Sequence, residues 1–220
     1  LKTPMKNLFY YFGGMLLLLF SCKSAQSITT SNTSPEDKSL NVRIAQMSIE
    51  EKVGQTCQIT LDVISQTDAK GATLTPTTID TAKLNEAILK YHVGSVLNVG
   101  WHTLSLVEWK GIIPAIQNPY STGKTHVPII YGIDAIHGVN YTVGATLFPQ
   151  EIGLAATWNP SLAKTFGEIT AYETRASGIP WNFSPVLDLG RQPLWSRTFE
   201  TLGEDPYLIS QMGSAIIDGY

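Results

Sequence analysis

The chain has 220 residues, of which 43% are hydrophobic and 15% charged, with 15 basic and 18 acidic side chains giving a net charge of −3. That balance excludes a disordered chain, a coiled coil and a collagen, and without a basic excess no nucleic-acid partner is expected. With only two cysteines, Cys22 and Cys57, no disulfide framework is available, so an apolar core must hold the fold.

The first segment reads as an address. Met5 reads as the initiator, with Leu1–Pro4 ahead of it, and Lys6 precedes an apolar run from Leu8 to Phe20. One lysine followed by a short hydrophobic stretch has the form of a secretory signal peptide, and the run is too short to span a bilayer. Leu19-Phe20-Ser21-Cys22 is similar to a bacterial lipobox, in which the cysteine becomes the lipidated N-terminus; Phe20 is bulkier than usual there. Residues 1–22 are therefore expected to be a signal peptide with Cys22 as the lipidation site. An exported, periplasmic or outer-membrane-anchored lipoprotein is the expected location, with the membrane as a partner through the lipid. Residues 23–39, rich in Ser, Thr, Gln and Asn, read as a flexible linker. Cys57 is then unpaired and expected to be a buried small hydrophobe.

From Leu40 onward, strands and helices alternate. Ser48-x-x-Glu51 is a capping box, followed by Ile49, Val53 and Cys57 at helical spacing. A second helix is predicted from Asp80 to Tyr91, with Leu84, Ile88 and Tyr91 inward. A strand follows over Val93–Val99. Ser105-x-x-Glu108 opens another helix with Trp109, Ile112, Ile113 and Ile116 on its apolar side, ended by Asn118-Pro119. Val127–Ile133 is the second strand. Asn159-Pro160 caps a helix that presents Leu162, Phe166 and Ile169, with Gly178 as its left-handed terminator. Trp181–Leu189 is the third strand, and Asp205-Pro206 starts a helix carrying Leu208, Met212 and Ile216. This order predicts parallel strands with right-handed crossovers.

Ligands of parallel α/β folds gather at the carboxyl ends of strands. Two loops fall there. In Gly132-Ile133-Asp134-Ala135-Ile136-His137-Gly138, the Asp134 carboxylate is suited to accept hydrogen bonds from two hydroxyls of a polyol, with a helix cap or ion pair as the alternative. His137 is expected to be a hydrogen-bonded structural residue. The second loop runs from Asp188 to Glu200. Arg191 reads as a structural partner of Asp188 or Glu200; Arg197 is equally readable as structural or functional. Trp195 either packs the loop or offers a face to a sugar ring. Asp205 reads as an N-cap rather than half of a catalytic carboxylate pair with Glu204. No metal-ligand spacing, phosphate loop or nucleophile elbow occurs.

Five segments in order resemble the N-terminal part of glycoside hydrolase family 3, β-glucosidase type. They are Ile44–Gln55, Gly132–Gly138, Thr146–Pro160, Asn182–Asp188 and Arg197–Pro206. The resemblance covers residues 40–220 and implies an α/β chain that is the N-terminal portion of a (β/α)8 TIM-type barrel, incomplete, with three of eight βα units. It implies that Asp134 and Arg197 bind the terminal sugar and that Glu200 supports or contacts it. It implies retaining hydrolysis with no metal or organic cofactor, releasing terminal glucose from β-glucosides or β-glucan oligosaccharides, with a β-xylosidase or a non-catalytic glycan-binding lipoprotein as alternatives. The family's nucleophilic aspartate, its Lys-His sugar-binding pair and its acid/base glutamate correspond to positions beyond Tyr220, so no catalytic residue is expected here and the isolated segment is expected to be inactive. Two departures stand out. Arg191-Gln192-Pro193-Leu194 replaces the usual Asp-Pro-Arg, and Asp134-Ala135-Ile136-His137-Gly138 differs from the Asp-x-Glu-Gly-Gly loop of the N-acetylhexosaminidase branch.

Overall fold

The computed structural model describes residues 35–100, 102–122 and 127–220; the leader, Cys22 and the linker through residue 34 lie outside the described residues. The chain divides into two compact units, Leu1–Ala45 and Gln46–Tyr220. Helix α1 (Pro35–Gln46) takes in the last five residues expected to be linker. Pro35 presets helical φ at the first position, Glu36 and Asp37 face the positive end of the helix dipole, and Arg43 lies in the last turn. Among the described residues, no helix is long and apolar enough to cross a membrane.

In the second unit, the Ser48–Glu51 capping box opens α2 (Ile49–Gln55) as predicted. Its apolar stripe does not face inward: Ile49 is 67% and Val53 56% exposed, and Cys57 is exposed rather than buried. The reason is the next element. The chain enters strand β1 (Gln58–Thr60) directly after Cys57, which takes the cysteine off the helix and onto the approach to the sheet. That strand brings the total to four, one more than predicted. It is three residues long and is defined by its bonding to β2, a non-local feature.

Strands β1, β2 (Ser95–Leu97), β3 (Ile130–Ile133) and β4 (Trp181–Asn182) lie side by side in chain order, all parallel. The protein is thus α/β with a parallel sheet. Registered partners share a face. On one face Ile59, Val96 and Tyr131 pack under the helices, Val96 and Tyr131 fully buried, and Ile133 follows one step on. On the other face Gln58, Ser95 and Ile130 form one row and Thr60, Leu97, Gly132 and Trp181 the next. Ile130 is 49% and Trp181 41% exposed. Among the described residues, helices cover one face of the sheet and leave the other partly exposed, unlike the doubly covered parallel sheets of open α/β folds.

Helix α3 (Thr81–Asn85) is capped by Asp80 and runs into a π-turn at Glu86–Lys90. The wider turn changes the phase, so Leu84 and Ala87 are buried and Tyr91 points outward instead of inward. Helix α4 (Leu106–Thr122) begins at the predicted Ser105–Glu108 capping box. It continues past Pro119, against the predicted stop. Trp109, Ile112 and Ile116 are buried against the sheet, with Trp109 edge-on to Tyr131 at 5.5 Å. Burial of three large side chains, at about 1.5–3 kcal/mol each, offsets the roughly 3 kcal/mol cost of each of its two internal prolines, Pro114 and Pro119.

Beyond β3, α5 (Glu151–Ala155), α6 (Pro160–Ala176) and α7 (Pro206–Gly219) enclose a second core of Leu154, Phe166, Leu202, Ile209, Met212 and Ile216. Asn159 and Asp205 are the predicted N-caps. Gly178 terminates α6 at φ +80°, with Gly178 N–H bonded to the Arg175 carbonyl and Ile179 N–H to that of Thr174. The buried face of α6 is not the predicted Leu162–Phe166–Ile169 stripe but Ala163, Phe166, Gly167, Thr170 and Thr174, and Leu162 is exposed. The small residues win because the α7 backbone lies against them. A Cβ on Gly167 would sit 2.4 Å from the Ile216 carbonyl oxygen.

Strand β4 stops two residues in, well short of Leu189, because the next donors are taken elsewhere. Phe183 N–H still bonds to the Ile133 carbonyl, but Pro185 has none to give and Val186 N–H goes to Glu151 Oε2 at 3.0 Å. Glu151 is fully buried; its other oxygen accepts from Ser184 Oγ at 3.0 Å, and that hydroxyl receives Tyr220 O–H at 2.7 Å. Burial pushes the Glu151 carboxyl up to about 8, with the nearby Glu200 charge adding to the rise and the two hydrogen bonds opposing it.

Two expectations follow. Gly167→Ala should destabilise the protein by about 1–2 kcal/mol, since overpacking costs about 1–3 and the helix-propensity gain returns under 1, as read from denaturant midpoints. The neutral form of Glu151 is favoured only in the folded state, so its contribution is fully present below the ordinary carboxylate range and is lost as pH rises towards 8. The thermal midpoint of Glu151→Gln relative to the parent should therefore rise between pH 5 and pH 8, by an amount equivalent to a few kcal/mol.

Candidate functional site

The carboxyl ends of the four strands open onto one rim. Asp134 follows β3 directly and is half-buried. Its Oδ2 accepts from Asn98 Nδ2 at 2.7 Å, while its own N–H donates to Asn98 Oδ1 at 3.0 Å. Asn98 stands at the equivalent position after β2, with φ +48°. Its N–H donates to the Gly132 carbonyl at 3.0 Å and its carbonyl accepts from Tyr131 O–H. Neither a helix cap nor an ion pair holds Asp134; a side-chain amide does. On the next strand, Asn182 repeats the pattern one step over, its Oδ1 accepting from Ala135 N–H at 3.0 Å.

Arg197 and Glu200 lie on the loop after β4, around a 3₁₀ turn at Thr198–Glu200. Arg197 Nε donates to Glu200 Oε2; the arginine side chain is 52% exposed and the glutamate 14%. Glu200 hydrogen bonding holds the guanidinium firmly charged, and the Asp134 and Asp188 carboxylates add to the effect. Tyr141, half-buried on the loop after β3, keeps its proton through burial and through the charges of Asp134 and Glu200. The predicted Asp134, Arg197 and Glu200 are thus brought into one electrostatic neighbourhood, with Asp188 and Tyr141. No hydrogen bond joins Asp134 to the Arg197–Glu200 pair.

The other predicted positions divide. Arg191 pairs with neither Asp188 nor Glu200; its Nε donates to the Glu204 carbonyl at 3.3 Å. Gly190 N–H reaches the Gly203 carbonyl at 2.8 Å, so the feet of the 190–203 loop are pinched together. Trp195 is half-buried, and its carbonyl accepts from Thr198 Oγ1 at 2.7 Å. His137 is half-buried beside Asp134, and its ring makes none of the expected hydrogen bonds to the described residues. Its carbonyl instead accepts Phe148 N–H at 2.8 Å. Asp205 caps α7 as predicted, accepting from Tyr207 N–H at 2.9 Å. Among the described residues, no group of three His, Cys, Asp or Glu is placed to hold a metal ion.

Sequence reasoning missed Asn98, Tyr141 and Glu151. Asn98 was legible in principle: a lone amide within a β-branched run, at the same strand-end position that singled out Asp134. Extending that strand to Val99, two residues beyond its real end, concealed it. Glu151 carries no local signal, because its partners lie 33 and 35 positions away, and Tyr141 is set by burial together with Asp134, seven residues before it, and Glu200, 59 residues after it.

Residues 48–220 match the family described as Glycosyl hydrolase family 3 N terminal domain. The lysosomal beta glucosidase of Dictyostelium discoideum is 41% identical over 196 residues, spanning 85% of this chain and 23% of that protein. Among solved structures, the exo-1,3/1,4-beta-glucanase ExoP from a Pseudoalteromonas species superposes with a TM-score of 0.67 at 29% identity, covering 84% of this chain and 22% of that one. The beta-glucosidase from Listeria innocua, in complex with glucose, gives 0.61 at 29%, covering 83% and 23%. The chain spans less than a quarter of the length of these relatives. By the match over residues 48–220 and the identity across most of its length, the chain belongs to glycosyl hydrolase family 3, whose N-terminal domain it carries.

Proposed function

We propose that this chain forms the sugar-binding side of an exo-acting, retaining β-glycosidase that releases terminal glucose from β-glucosides or β-glucan oligosaccharides. The observation that carries this reading is the Asp134 carboxylate, immobilised at a strand end within electrostatic reach of the Arg197–Glu200 pair. A fixed acceptor beside a planar cation is the arrangement that vicinal hydroxyls of a sugar require. The glucose in the Listeria innocua enzyme supports a glucose-sized occupant.

In this reading Asp134 accepts hydrogen bonds from two hydroxyls of the terminal sugar. Arg197 donates its free guanidinium N–H groups to the same ring, and Glu200 keeps the guanidinium turned towards it. The bond-breaking carboxyls, an aspartate nucleophile and a glutamate acid/base about 5–5.5 Å apart as retention demands, belong to the longer protein. The uncovered sheet face, with Ile130 and Trp181 exposed, is the lumen side of a barrel that further strands complete. Met5–Phe20 and Cys22 make the longer protein an exported, lipid-anchored one.

The full-length protein should hydrolyse an aryl β-glucoside with the β-anomer of glucose appearing first by NMR. Asp134→Ala should lower its kcat/KM about 10²–10³-fold, the loss expected for two charge-assisted hydrogen bonds. Near-parental activity of that variant, or preference for an aryl β-xyloside, would refute the assigned role or the assigned sugar respectively. Residues 1–220 alone should turn over neither substrate, and in the native host Cys22→Ser should move the protein out of the membrane fraction.

A further inference from the structure

We propose that Asn98 is the positioning residue of the sugar-binding carboxylate: it fixes the rotamer of Asp134 and leaves Oδ1 as the oxygen offered to substrate. This rests on the reading of Asp134 given above. Asn98 is a turn residue in its backbone and a clamp in its side chain. The left-handed conformation at φ +48° is one that asparagine tolerates better than most residues. It turns the side chain across to the neighbouring strand end, where the amide meets Asp134 twice: Nδ2 holds the carboxylate and Oδ1 holds the backbone N–H of the same residue. A two-point contact fixes position and rotation together, which one hydrogen bond does not.

The clamp is itself immobilised. Asn98 N–H and carbonyl are bonded to Gly132 and to the Tyr131 hydroxyl, so all four of its hydrogen-bonding groups engage β3 or its end. Tyr131 is buried with its ring in a T-shaped contact with Trp109, which ties the chain of contacts to the core. Only asparagine supplies a donor to the carboxylate and an acceptor to the amide from one short side chain at a left-handed position. Aspartate has the shape but sets a second carboxylate against Oδ2, and glycine keeps the turn but loses the clamp. The ionisable groups around the pair are Tyr131 and Tyr141, with Arg197, Glu200 and Asp188 across the rim and Asp62 in the 3₁₀ turn after β1.

The test is made in the full-length protein with Asn98→Asp, Asn98→Gly and Asp134→Ala side by side, following kcat/KM on an aryl β-glucoside from pH 5 to pH 7.5 and the thermal midpoint of each. Asn98→Asp should lose about 100-fold at pH 7 and regain roughly tenfold of that at pH 5, because two adjoining carboxyls retain a shared proton on the acid side and restore a donor to Oδ2. Asn98→Gly should lose about tenfold or more at every pH with the turn preserved. If both Asn98 variants match the parent while Asp134→Ala is inactive, the clamp is refuted and the role of Asp134 stands. A loss in Asn98→Asp that is the same at pH 5 and pH 7 reduces Asn98 to a turn residue and also refutes the clamp. If Asp134→Ala itself stays active, it is the sugar-binding reading that falls. Asn98→Gly carries the test should Asn98→Asp fail to fold.

Discussion

A parallel strand satisfies its backbone only through its neighbours, so each strand added to this sheet inherits the height of the one before it. Thr60, Leu97, Gly132 and Trp181 stand in one registered row, and within two residues of it each strand leaves the sheet at the same rim. The alignment of four strand ends is what the candidate site depends on. Asn98 and Asp134 meet because each is the first residue beyond its strand, on neighbouring strands whose register puts Asp134 one residue further along than Asn98. The loop carrying Arg197 and Glu200 reaches the same rim because β4 joins at that height. Had β4 paired one residue out of step, Trp181 would have faced the helices and the loop would have started from the wrong side.

Two carboxyl groups illustrate how place decides chemistry. Glu151 and Asp134 each receive hydrogen bonds from neighbouring chain segments. Glu151 is wholly enclosed, and its burial favours the neutral acid; it works as an internal strut between α5 and the turn after β4. Asp134 is half-exposed and held by a neutral amide, with one oxygen left unclaimed by the described residues. A neutral amide fixes its position through two hydrogen bonds, one to the carboxylate and one from the backbone N–H.

Much of this was legible from local rules because those rules are local physics. The caps at Ser48, Ser105, Asn159 and Asp205 and the glycine terminator at 178 depend on neighbours within four residues, and each is found where the spacing put it. The place of Asp134 directly after a strand was legible because the strand before it was. What escaped depended on distant partners. Strand β1 exists through β2, α6 turns its small residues inward because α7 lies against them, and α4 survives two prolines because the sheet holds it. Cys57 was assigned to a helix face when the chain had already left the helix. The pairing of Arg191 with a backbone carbonyl, rather than with a carboxylate, is of the same kind: a turn in the loop decides it, and no spacing records the turn.

The pinched feet of the 190–203 loop have a consequence for how such a site diversifies. Gly190 and Gly203 are bonded to each other, and Arg191 bridges to Glu204 just outside, so the frame on either side is closed before the intervening residues take any shape. Helix α7 starts from its own cap at Asp205 regardless of what lies between those feet. Within the loop Thr201 and Leu202 are fully buried and belong to the support, whereas Gln192, Pro193 and Leu194 are exposed. Substitutions among those exposed residues alter what the rim presents while the parallel sheet stays as it was. The surface of this part of the rim is therefore free to change faster than the fold that supports it.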